Sequence, residues 1–75
     1  LYYMNKKNKI KIVVNGKFLT VNLKFTLKNL IEKLKTPINK VAIELNEEIV
    51  DKKKLNKVFL KNKDKIEIVH FIGGG

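Results

Sequence analysis

Read for apolar and polar positions, the chain falls into short alternating runs separated by turn residues. Ile10, Ile12 and Val14 alternate with Lys9, Lys11 and Val13, a two-residue period that predicts a strand with one buried face. Asn15-Gly16 follows, and both central residues of a type I′ turn need the positive φ that asparagine and glycine tolerate. Leu19, Val21 and Leu23 then alternate against Thr20 and Asn22, so the opening unit is predicted to be a β-hairpin. After it the period changes. Leu27, Leu30, Ile31 and Leu34 fall at i, i+3, i+4 and i+7, the buried stripe of an amphipathic helix. Thr26 is placed to cap its start, and Pro37 to stop it, because the residue before proline avoids helical geometry. Lys28, Asn29, Glu32, Lys33 and Lys35 supply the wet face, the last two lysines near the negative end of the helix dipole.

Alternation returns in Val41, Ile43 and Leu45 against Ala42, Glu44 and Asn46, a third strand that Asn46-Glu47 turns into a short fourth, Glu48 to Val50. Asp51 to Asn62 is rich in lysine, is anchored by Leu55 and by Val58 to Leu60, and reads as a short helical or irregular crossover. Asp64 closes the turn into a last strand beginning at Lys65. The order is ββαββ, crossover, β. One helix covering one face of a mixed sheet is an α+β design. A long crossover lets the last strand run parallel to the first in the sheet centre. That arrangement is the β-grasp, or ubiquitin-like, fold, with about five strands in the expected order 2-1-5-3-4. Residues 1–9 are expected to be a flexible extension, with Met4 a candidate natural start; 10–72 form the domain and 73–75 a flexible tail.

The same alternation sorts the last strand into two faces. Ile66 and Ile68 point inward, while Val69 and Phe71 point outward. Together with Ala42 and Glu44 on the same side of the neighbouring strand, and with Ile72, they form a candidate partner-binding patch. His70 falls on the Ile66/Ile68 side near the strand end, which suits a structural or rim role and not acid–base or metal chemistry.

Composition narrows the chemistry. Seventy-five residues make one small domain whose core is just large enough to fold alone. Without cysteine there is no disulfide, thiolate zinc site or cysteine nucleophile, and a single histidine argues against a transition-metal site. No apolar run approaches the ~20 residues of a membrane helix, and Leu1 to Met4 is too short for a signal-peptide core, so a cytoplasmic domain is expected. The net charge of +10 comes entirely from lysine, 17 residues scattered through every segment, with no arginine to read base edges. Frequent Lys, Asn and Ile together suggest an AT-rich coding bias and a solvated basic surface. Such a surface binds polyanions at low salt, but no specific nucleic-acid motif accompanies it.

The chain ends Phe71-Ile72-Gly73-Gly74-Gly75, and only Gly16 lies elsewhere. Three extended residues reach roughly 10 Å, enough to carry a terminal carboxylate into a partner's active site, and without Cβ atoms they are expected to project as a mobile tail. The carboxylate of Gly75 is therefore the candidate functional group. Taken with Val14-Asn15-Gly16-Lys17 and with Val41 to Val50, the block from Asp64 to Gly75 resembles the thiamine-biosynthesis sulfur carriers, the ThiS family, over roughly Ile10 to Gly75. The small subunit of molybdopterin synthase has the same fold and Gly-Gly end but usually approaches its glycines through proline. Two departures from the pattern stand out: Lys61-Asn62-Lys63 where a glycine is common, and Lys52 where arginine is frequent.

The resemblance implies a protein substrate and not an enzyme. A free α-carboxyl titrates at about 3.3–3.7 and is a poor electrophile when ionised. A ThiF-like adenylyltransferase using ATP and Mg²⁺ would convert the Gly75 carboxylate to an acyl-adenylate. Sulfur from a persulfide donor of the cysteine desulfurase pathway would then replace AMP to give a thiocarboxylate, from which thiazole synthase takes the sulfur. Gly73 and Gly74 would occupy the partner's channel, and no cofactor would be bound by this chain itself. Two other classes stay open on the residues: a ubiquitin-like modifier joined to lysines through Gly75, or the molybdopterin-type carrier, and a basic nucleic-acid-binding module.

Overall fold

In the computed structural model, which describes residues 8–71, Asn15 and Gly16 take φ values of 48° and 82°. These are the positive angles a type I′ hairpin needs to match the twist of its strands. The turn joins β1 (Lys9–Val14) to β2 (Lys17–Asn22) in the register Ile12 opposite Leu19 and Val14 opposite Lys17. A second tight turn, at Asn46 and Glu47 with φ of 51° and 72°, joins β3 (Val41–Leu45) to β4 (Glu48–Ile49). β5 (Lys65–His70) lies between the two hairpins, parallel to β1 and antiparallel to β3. The sheet order is β2-β1-β5-β3-β4, as expected from the sequence.

The one α-helix among the described residues, α1 (Leu27–Lys33), starts as its sequence predicts. The Thr26 hydroxyl accepts the Asn29 N–H, and the Asn29 side chain accepts the Thr26 N–H, both at 3.0 Å, so two free donors are satisfied reciprocally. Its end differs from expectation. Lys35 turns to φ 55°, its N–H bonds to the Glu32 carbonyl at 3.0 Å, and the Thr36 N–H bonds to the Ile31 carbonyl at 3.2 Å. This is a Schellman stop with lysine where glycine is usual, and it closes the helix before Pro37 acts. Leu34 is consequently the C-cap and 40% exposed, not a fourth core residue. Leu23 was likewise expected on the buried face of the second strand. β2 ends at Asn22, Lys24 turns to φ 70°, and Leu23 is left half-exposed.

The crossover contains a 3₁₀ segment, Lys52–Lys57, capped by the Asp51 carboxylate on the Lys53 N–H. Its one buried residue, Leu55, packs into the core with Leu60, and a shorter 3₁₀ turn, Ile38–Lys40, leads into β3. The fourth strand is one residue shorter than expected, although Val50 still donates to the Ile43 carbonyl. Between sheet and helix lies a wholly apolar core. Ile12, Leu27, Leu30, Val41, Ile43 and Ile66 have no exposed surface, and among the described residues no polar or charged side chain is buried. Each such side chain stabilises the fold by roughly 1.5–3 kcal/mol relative to exposure.

Candidate functional site

The expected reacting end, Gly73, Gly74 and Gly75, and the patch residue Ile72 lie outside the described residues. The geometry of the site is therefore that of the strand leading to them. β5 is held from both sides by the two hairpin turns. Beyond Val14 strand β1 stops, and the Asn15 carboxamide takes the place of its next residue. The Asn15 side-chain oxygen accepts the Ile68 N–H at 2.7 Å, and its nitrogen donates to the Ile68 carbonyl at 3.3 Å. From the opposite side, the Asn46 side-chain oxygen accepts the Lys65 N–H at 2.9 Å and its nitrogen donates to Asp64 Oδ1 at 3.0 Å. Both asparagines sit in left-handed backbone, where a short polar side chain reaches back to neighbouring peptide groups. The ladder continues one residue past β5: the Phe71 N–H donates to the Lys40 carbonyl at 2.9 Å. Lys52 Nζ lies 5.3 Å from the centre of the Phe71 ring, a cation–π distance. The backbone is thus anchored up to Phe71.

The outer face of the sheet holds the four described residues of the expected patch, Ala42, Glu44, Val69 and Phe71. Ala42 is the cross-strand partner of Val69, and Glu44 of Glu67. Val69 and Phe71 are 51% and 56% exposed, while Ala42 and Glu44 are half-buried. Two residues belong to this face that the reading of β5 and β3 omitted. Ile49 stands opposite Glu44 and is 76% exposed, and Phe18 stands opposite Val13 at 75%. A signal for Ile49 was present, because a two-residue turn at Asn46-Glu47 fixes the register and so the face. Glu44 and Glu67, directly opposite each other, repel across the ladder. His70 is exposed at the strand end opposite Val41, a rim position.

Other chemistries find little here. Among the described residues no group of three or more His, Cys, Asp or Glu side chains is arranged to hold a metal ion. No described helix is long and apolar enough to cross a membrane.

A mixed five-stranded sheet in the order 2-1-5-3-4, covered on one face by the one α-helix among the described residues, is a ubiquitin-like β-grasp domain, here with its central strand followed shortly in sequence by Gly73-Gly74-Gly75. The sequence model of the ThiS family matches residues 14–75, and the chain belongs to that family. The crystal structure of a thiamine biosynthesis protein (ThiS) from Geobacter metallireducens superimposes with a TM-score of 0.77 at 30% identity, over 88% of this chain and all of that one. The sulfur carrier protein ThiS of Bacillus subtilis (strain 168) is 53% identical over 32 residues, 43% of this chain. That stretch spans about half of the relative's length, 48%.

Proposed function

We propose that this protein is a sulfur carrier for thiamine biosynthesis and that Gly75 bears the reacting carboxylate. The observation that carries the reading is the family match, which runs through the glycines to residue 75. In the cycle proposed, a ThiF-like adenylyltransferase uses ATP and Mg²⁺ to form an acyl-adenylate at Gly75, with release of pyrophosphate. The outer sulfur of a persulfide attacks the acyl-adenylate carbonyl and expels AMP, leaving an acyl disulfide to the donor. A thiol then attacks the donor sulfur, breaking the S–S bond to release the thiocarboxylate and forming a disulfide. Thiazole synthase draws the sulfur from that thiocarboxylate. The chain supplies no general acid or base to these steps. Its contribution is delivery: a strand locked at Ile68 by Asn15 and at Phe71 by Lys40 fixes where the tail leaves the domain.

The outer sheet face is the proposed docking surface, with Ala42, Glu44, Val69 and Phe71 as its centre and Ile49 at its edge; Ile72, the next residue in the chain and outside the described residues, is proposed to contribute to the same contact. Exposed Val69 and Phe71 suit an apolar partner surface. Opposed Glu44 and Glu67 call for a partner cation, which would relieve their repulsion on contact.

Intact mass after incubation with the adenylating enzyme, ATP and a sulfur source tests the reading, followed by mapping of the C-terminal peptide. A sulfur-for-oxygen increase confined to the glycine end is expected. Deleting Gly74 and Gly75 is expected to abolish adenylation while leaving the fold intact. An unchanged mass, or an adduct through Gly75 to another protein's lysine, overturns the carrier assignment, the second in favour of a modifier.

A further inference from the structure

On the side of the domain away from the docking face, α1 and the 3₁₀ segment Lys52–Lys57 enclose an open groove of about 450 Å³. That volume lies within the range of small-molecule sites, roughly 300–1,000 Å³. Its floor is apolar. Ile31 and Leu55 are buried there and Ile38 is half-buried. The rim is cationic on both walls: Lys28 and Lys35 stand on the helix side, Lys52 and Lys53 on the 3₁₀ side, and all four are exposed. Of the lining residues only Glu32 is acidic. Four like charges held around one apolar depression repel one another, and a multivalent anion seated between the walls relieves that repulsion. Lysine suits phosphate as a mobile point charge with three donors.

We propose that this groove is a binding site for a small phosphate ester with an apolar ring, the ring on Ile31, Ile38 and Leu55 and the phosphate between the two pairs of lysines. Scattered surface lysines attract any polyanion. This site differs in setting its cations on opposite walls of an apolar floor, so that neither phosphate alone nor a ring alone satisfies it. Occupancy also reaches the root of the tail. Lys52 lines the groove and at the same time lies over the Phe71 ring, so a bound phosphate competes for the same ammonium. None of the proposed docking residues lines the groove, which Lys52 alone links to Phe71, and the inference stands whether or not Gly75 carries sulfur.

The test is a titration of the isolated full chain with 1-naphthyl phosphate, followed by methyl and amide NMR at physiological salt. Saturable shifts of the Ile31, Ile38 and Leu55 methyls are expected, accompanied by the Phe71 amide. Inorganic phosphate and 1-naphthol should each bind at least about tenfold more weakly, since each meets only half of the site. The double variant Lys28→Gln/Lys53→Gln, with one cation removed from each wall, should weaken binding about tenfold while preserving the unliganded spectrum. Shifts that spread over lysines of the whole surface without saturating, or an equal response to inorganic phosphate, overturn the site. So does undiminished binding by the double variant.

Discussion

The two faces of the sheet are built from the same strands and obey opposite rules. On the inner face Ile12, Ile43 and Ile66 have no exposed surface and belong to the apolar core. On the outer face Val69, Phe71 and Ile49 are more than half exposed, with no covering element among the described residues, beside two carboxylates paired across the ladder. Both faces follow from one alternating pattern, so a substitution two residues along β5 stays on its face and a shift of one changes it. The difference teaches that hydrophobicity serves two ends here. Inward it stabilises the chain; outward it supplies contact surface that costs the monomer little to change.

The largest effect should come from the inner face. Ile66→Ala empties a fully enclosed site, and denaturant unfolding should show a loss of about 2–5 kcal/mol. Next comes Phe71→Ala on the outer side. It should lower kcat/KM for adenylation about thirtyfold, as loss of an aromatic anchor does, with stability changed by no more than about 0.5 kcal/mol. If Phe71→Ala unfolds the protein as Ile66→Ala does, the division between the faces fails. Asn15→Gly lies between them. It keeps the left-handed backbone but removes the two bonds to Ile68, and should cost about 1–2 kcal/mol with faster amide exchange at Ile68. Exchange that is unchanged there would mean β5 does not depend on the carboxamide. Glu44→Gln should have the smallest effect: it relieves the repulsion with Glu67 and stabilises the free protein by about 0.2–1 kcal/mol. The same change should weaken docking if the partner brings a cation, so opposite signs in the two measurements sharpen the comparison.

The sequence by itself determined the elements, their order and the two faces. Asn15-Gly16, Thr26 and the alternation at Ile66 and Ile68 each state a local preference that the fold keeps. It also set apart Ala42, Glu44, Val69 and Phe71, because alternation is a local property that survives folding. Tertiary structure alone decided what local preference leaves open. Leu34 fits the helical stripe, yet the helix closes at Lys35 through backbone bonds that no side-chain period reveals. Lys63 holds φ 74° in the turn before β5, where its N–H bonds to the Lys11 carbonyl of the neighbouring strand at 2.7 Å. Asn15 and Asn46 read as turn residues and become clamps on β5 only when folding closes sequence separations of 53 and 19 residues and brings that strand beside them. The lysine-rimmed groove arises the same way. Lys28 and Lys53 belong to separate local patterns, and only the packing of the helix against the crossover sets them around one apolar floor. Local sequence fixes which way a side chain faces along its own element, whereas a site between elements exists only once the core has closed.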